Sequence, residues 1–209
     1  MVEVRTLSIG STISLPPPLY SSMPIGQMFT DESEQFMIKI GLSRELVEQL
    51  KRFSLDRDDE AIQKNTSDLI RFGKEGAYEE WYTKQRTPFA LVDKTGGLAA
   101  LVWFGPKPIG RKSLRHLSEE ELKEEYKQGQ REWHTLVYRS YAPYRGKGLM
   151  TPFVQFAITT YRNFYPNVKI WAGISLDNQP SIALARKLGF SEDEEYTDLE
   201  ANWTAMILK

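Results

Sequence analysis

Cysteine is absent from the 209 residues. That excludes disulfides, thiolate metal sites and an acyl group carried on a cysteine. Histidine is scarce, and only His116 and His134 can offer imidazole chemistry. Neither sign of charge dominates: 27 Lys and Arg face 28 Asp and Glu, a formal net charge of -1. Nothing therefore draws the whole surface towards nucleic acid or an anionic membrane, and any basic patch has to be local. The longest clean apolar run, Leu98 to Phe104, is far too short to span a bilayer. The first residues, "MVEVRTLSIGSTISLPPPLY", hold no basic segment followed by a long apolar core. A cytoplasmic protein is the expectation.

What is present suits one well-buried core, with 41% hydrophobic and 26% charged residues. Residues 1–40 read as an N-terminal arm: a strand through Val2 to Ile13, then "LPPPL" and a Gly/Pro/Ser-rich connection that should be irregular. Ser43 can cap a helix with Leu46, Leu50 and Phe53 on one face, and a second helical pattern carries Ile62, Leu69 and Ile70. Both should face the core. A third candidate, around Ala77 to Lys84, holds Tyr78, Trp81 and Tyr82 as packing aromatics.

The period then changes. "TPFALVDKTGGLAALVWFG" is two apolar runs around Asp93-Lys94-Thr95-Gly96-Gly97, which predicts paired antiparallel strands over 88–104. Before the next strand, "REWHTLVYRSY", comes a charged insertion at about 105–131. In it Ser118 and Glu121 fit a capping box. Such a helix is either a solvated surface element or a lid that helps select a substrate.

The stretch "APYRGKGLMTPF" puts Gly146 and Gly148, with Arg145 and Lys147, immediately before an apolar helical pattern of Leu149, Phe153, Phe156, Ala157, Thr160 and Phe164. A helix N-terminus offers unpaired amides and the positive end of its dipole, so the loop can seat an anion; a surface turn with ordinary basic residues is the other reading. "VKIWAGIS" reads as a buried strand. "LDNQPSIALARKLGF" runs into a helix with Asn178 as cap, Pro180 in the first turn and Gly189 as stop. "EEYTDLEANWTAMILK" closes with two strands. The predicted order is β-α-α-β-β-β-α-β-α-β-β.

This order, the "YRGKGLM" loop and the "NQPSIALARKLGF" segment together resemble the GNAT superfamily of acyl-CoA-dependent N-acyltransferases over roughly residues 40–208. Arg145, Gly146, Lys147, Gly148, Leu149 and Met150 fill the family's Arg/Gln-x-x-Gly-x-Gly/Ala loop, with Met150 departing from the usual small last residue. Asn178 with Lys187-Leu188-Gly189-Phe190 matches the second signature. The resemblance implies an α+β (mixed α/β) fold: a central, mostly antiparallel sheet flanked by helices and splayed at the CoA site, in a domain over 41–209. It further implies that the amides of Arg145 to Met150 hold the pyrophosphate of acetyl-CoA. The edge Tyr138, Arg139 and Ser140 would bond the pantetheine arm, with Asn178 and Ser181 as further contacts.

Transfer needs a neutral amine at the thioester carbonyl, donors for the oxyanion and a proton for the leaving thiolate. The family often places a base where Glu132 and His134 stand, on one strand face by parity. His134 has the better matched reference pKa, near 6.5; a satisfied structural histidine is the other reading. The family's frequent acid, a tyrosine, is Ala185 here, which leaves Tyr144, Tyr196 or water. The implied partners are acyl-CoA and an amine acceptor, with a homodimer allowed and no metal, nucleic acid or membrane. Two functions stay open: an N-acetyltransferase acting by direct attack, or a binding module of the same fold that holds acyl-CoA without efficient transfer. "SEDEEY", residues 191–196, is either an acidic wall for a cationic amine or a solvated turn.

Overall fold

The computed structural model describes residues 2–7, 13–31, 34–109, 120 and 132–208. The expected capped helix of the insertion, with Ser118 and Glu121, lies outside the described residues, as does most of the far half of the expected Val2 to Ile13 strand. The chain runs β1 (Glu3–Thr6), β2 (Ser22–Phe29), β3 (Gln35–Gly41), α1 (Arg44–Leu55), α2 (Glu60–Asn65), α3 (Asp68–Phe72), α4 (Ala77–Thr83), β4 (Thr87–Asp93), β5 (Leu98–Pro106) and β6 (Trp133–Ser140). There follow α5 (Met150–Phe164), β7 (Lys169–Ser175), α6 (Gln179–Lys187), β8 (Phe190–Asp198) and β9 (Trp203–Leu208). The strands are bonded in the order β1-β2-β3-β4-β5-β6-β7-β9-β8. The fold is thus mixed α/β around a mostly antiparallel sheet, as the sequence predicts. Among the described residues no helix is long and apolar enough to cross a membrane.

Two compact units divide the chain. The first comprises Met1–Trp103 and Tyr138–Ala157. Its strands β2, β3 and β4 pair antiparallel, with Ile38 opposite both Gly26 and Leu91. The clean apolar run of β5 is buried throughout, which is what a strand covered on both faces requires. Helix α1 turns Leu46, Val47 and Leu50 inwards. Gln49 fastens it to the β4–β5 turn, donating to Gly96 O at 2.9 Å and accepting from Leu98 N–H at 2.8 Å. Phe72 of α3 and Trp81 of α4 meet Trp103 edge to face at 6.2 and 5.6 Å, so the aromatics expected to pack do so.

The second unit comprises Phe104–Val137 and Ile158–Lys209. In it β6 and β7 run parallel, with Trp133, His134 and Thr135 opposite Lys169, Ile170 and Trp171. Strand β9 pairs antiparallel with both β7 and β8. Asn178 caps α6 by accepting Ser181 N–H at 3.3 Å, Pro180 sits in the first turn, and Gly189 has φ +89°, as its stop signal predicts.

Several expectations need correction. The connection expected to be irregular contains β2, because a register shift between Pro24 and Gly26 lets the exposed proline sit in the ladder without a bonded N–H. Among the described residues three strands, not one, precede α1. The second helical pattern is broken into α2 and α3 at Thr66-Ser67, and the break resets the phase. Ile62 is buried, whereas Leu69 and Ile70 are 42% and 78% exposed, their places inside taken by Asp68 and Phe72. In α5 the buried stripe is Phe153, Val154, Ala157, Ile158 and Tyr161, leaving Phe164 exposed.

Gly41, where β3 ends, combines two constraints: φ is +81°, and a Cβ there would lie 2.2 Å from Ser21 O. Gly41→Ala should therefore cost about 2–4 kcal/mol, read as a lowered urea midpoint. A parental midpoint would show that the β3 end relaxes freely.

Candidate active site

The loop that follows β6 is built in the first unit. Tyr141 N–H donates to Ala99 O at 3.0 Å and Tyr144 N–H to Tyr141 O at 2.9 Å, which pins the strand end and turns the chain. Gly146 and Gly148 have φ +78° and +72°, yet a Cβ on either would meet nothing within 4 Å. Their glycine requirement is one of torsion rather than space. Buried Leu149 anchors the loop, and α5, fifteen residues long, begins at half-buried Met150. The first-turn amides of such a helix are the groups that can take a phosphate.

Arg145 does not spend its charge on open solution. It gives Asp59 two hydrogen bonds, at 2.8 and 2.6 Å, and Ser140 O a third from Nε at 2.9 Å. Asp59 also caps α2, accepting Ile62 N–H at 3.1 Å. Burial pushes the Asp59 carboxyl up, but the Arg145 hydrogen bonds and the Ile62 amide outweigh it and hold it below the usual carboxylate value. Lys147 pairs with Glu34 at 2.9 Å on the surface. The Tyr144 hydroxyl donates to Asp93, and burial together with that carboxylate pushes its pKa up to about 12.

The strand edge repeats the pattern. Arg139 gives its Nη1–H to Tyr138 O at 2.9 Å and is itself gripped by Asp68, at 2.6 and 3.1 Å. The Asp68 side chain is 1% exposed. Burial pushes its carboxyl up, and the charges and hydrogen bonds of Arg139 and Arg71 overcome this and keep it below the usual range. Trp103 lies under both guanidinium groups, 5.1 Å from Arg139 and 5.6 Å from Arg71. The buried Tyr141 hydroxyl has no hydrogen-bond partner among the described residues.

The other candidates belong to the second unit. His134 on β6 is 5% exposed, with Nδ1 2.6 Å from the Tyr161 hydroxyl and its ring 5.4 Å from that of Tyr165. Glu132 precedes the strand instead of sharing its face, is exposed, and pairs with Lys169. Ala185, in the family's tyrosine position, is buried in α6. Tyr196, like Trp133 and Trp203, packs against the buried cluster of Ile109, Trp171 and Ala205. The acidic residues of "SEDEEY" lie on β8, where Glu192 pairs with Arg186. Asp59 and Asp68 were not singled out from the sequence. Arg71 is a local i,i+3 partner of Asp68, but the loop and strand-edge arginines, Arg145 and Arg139, stand 86 and 71 residues from Asp59 and Asp68, and no local pattern links those pairs.

A family profile described as Acetyltransferase (GNAT) domain matches residues 44–191. No curated relative matches the sequence. Solved structures are similar in fold. The GNAT domain of PAT from S. lividans has a TM-score of 0.57 at 12% identity, covering 87% of this chain and 94% of that one. An uncharacterized protein from Bacillus halodurans has a TM-score of 0.60 at 13% identity, covering 91% of each chain. Spermidine N-acetyltransferase from Vibrio cholerae, in complex with CoA and spermine, has a TM-score of 0.51 at 14% identity, covering 81% and 92%. With the family profile spanning well over half its length, and with a glycine loop opening a long helix, the chain belongs to the GNAT acetyltransferase family and is an acyltransferase.

Proposed function

We propose that the chain is an N-acetyltransferase that moves an acetyl group from acetyl-CoA to a primary amine of a small molecule or peptide, in the cytoplasm, by direct attack. The carrying observation is the loop Arg145–Leu149. Its two positive-φ glycines lead straight into the N-terminus of α5, while its arginine is turned inwards. The pyrophosphate would sit on backbone amides there, beside Lys147. The Tyr138–Ser140 edge would bond the pantetheine arm through its N–H groups, the carbonyls of Tyr138 and Ser140 being engaged by Arg139 and Arg145, with Asn178 and Ser181 as further proposed contacts. The Vibrio cholerae relative solved with CoA supports an acyl-CoA in this role.

In the reaction the amine nitrogen attacks the thioester carbonyl carbon, the C–S bond breaks, the amine loses a proton and the thiolate gains one. His134, with Glu132, is proposed to receive the amine proton. The burial of His134 and its bond to Tyr161 mean that the proton arrives through that hydroxyl or through water. The thiolate's acid stays unassigned. The competing reading, a module that binds acyl-CoA without efficient transfer, draws on three side chains: alanine at 185, the Tyr144 hydroxyl held by Asp93, and Tyr196 packed against the cluster of Ile109, Trp171 and Ala205. Thiol release with a panel of amines separates the two readings.

Gly148→Glu should abolish CoA binding, since it places a like charge against the pyrophosphate. Gly148→Asn, which tolerates positive φ and adds no charge, should retain part of it. Calorimetry on the folded variants decides, and unchanged CoA affinity in Gly148→Glu would remove the loop from the coenzyme site.

His134→Ala should lower kcat at least about tenfold, with much less effect on CoA affinity, and should remove a group titrating near neutrality from the rate profile. Equal rates for variant and parent from about pH 6 to 9 would pass the role to Glu132 or water.

A further inference from the structure

Backbone parity along β6 exposes a recurring device in the first unit. Successive residues of a strand present their N–H and C=O groups to opposite sides. Tyr141 N–H points at β5, where it meets Ala99 O, so the odd-numbered positions near it face that neighbour. The carbonyls of Tyr138 and Ser140 face away from β5. Each is capped by a guanidinium group, from Arg139 and Arg145 respectively, and each guanidinium is held by a carboxylate from the helical segment, Asp68 or Asp59. The two carboxylates, nine residues apart in the sequence, thus serve carbonyls two residues apart on the strand.

Asp59 carries the more specific consequence. All three nitrogens of the Arg145 guanidinium are engaged, two on Asp59 and one on Ser140 O, so the first residue of the glycine loop is tied at once to the end of β6 and to the start of α2. A bidentate charged pair of this kind fixes direction as well as distance. The Asp59 side chain is 11% exposed, well shielded from competing water. An arginine so committed cannot also extend towards a phosphate.

We infer that Asp59 is a positioning residue for the coenzyme loop: through Arg145 it holds the loop in the conformation that aims the α5 amides at the pyrophosphate, and the inference rests on the acyl-CoA reading of that loop. Asp59→Asn isolates the clamp, because asparagine still caps α2 but loses the charge and one of the two acceptors. Arg145→Lys keeps the charge but loses the fork.

Both variants should raise the KM for acetyl-CoA and the Kd for CoA about tenfold. They should leave kcat at saturating coenzyme and the KM for the amine within about twofold, and hasten amide exchange over residues 146–149. The double variant should be little worse than either single one, since each removes the same contact. Parental CoA affinity in Arg145→Lys, or tighter binding in Asp59→Asn, would overturn the inference by showing that the Arg145 charge itself serves the phosphate. A parent that binds CoA beside an indistinguishable Asp59→Asn sinks the positioning role alone. A parent that binds no CoA sinks the loop reading and this role with it. If Asp59→Asn fails to fold, Arg145→Lys carries the same test.

Discussion

Strand β6 runs on past its pairing with β7, and much of the first unit's polar architecture answers to that. The ladder aligns Trp133 to Thr135 with β7, and the strand continues to Ser140. Backbone carbonyls that leave a ladder need other partners, because a buried, unpaired one costs about as much as a lost hydrogen bond. At Tyr138 and Ser140 arginine side chains meet that need. Guanidinium groups brought into a protein need carboxylates in turn, and Asp68 and Asp59 supply them.

Placing Asp68 inside explains the local shape of the helical segment. A single amphipathic helix through Ile62 and Leu69 would keep those two on one face. The chain instead breaks at Thr66-Ser67, where the Thr66 hydroxyl accepts Asp68 N–H at 3.1 Å, and α3 restarts with Asp68 and Phe72 inwards. Leu69 and Ile70 are exposed as a result. The sequence favours burying two aliphatic side chains; the edge of β6 favours burying a carboxylate. Removing one partner of a buried pair costs about 3–5 kcal/mol, whereas fully burying a leucine or isoleucine yields about 1.5–3 kcal/mol each. The demand for a counter-charge is thus comparable with the apolar gain forgone.

This competition marks where the fold was legible and where it was not. The hairpin around Asp93–Gly97, the buried run of β5, the α5 start and the cap, proline and stop of α6 each rest on neighbouring residues, and the sequence displays them directly. The glycine loop was legible for the same reason, although its glycines are needed for positive φ rather than for room. Strand β2 was hidden because proline and glycine normally interrupt a ladder, and only the register shift reconciles them with one. The Asp59 and Asp68 clamps were hidden because they join residues distant in sequence, and single charged positions in helical segments look like any solvated face. The strand pattern of "REWHTLVYRSY" correctly set His134 on β6, but the parity that put Glu132 on the same face fails because Glu132 falls outside the strand.

Arginine at the head of the loop looks from the sequence like part of an anion's binding charge. In the folded chain that charge is neutralised by Asp59, and Lys147 is shared with Glu34. What the loop retains for an anion is chiefly fixed backbone dipoles at a helix start, which act over a shorter range than a free cation and demand closer placement. A site of that kind attracts anions weakly from a distance and discriminates strongly on contact. If the loop seats the pyrophosphate as proposed, its affinity would depend on how rigidly the loop is held, and the inferred clamp would then matter more than the charges in front.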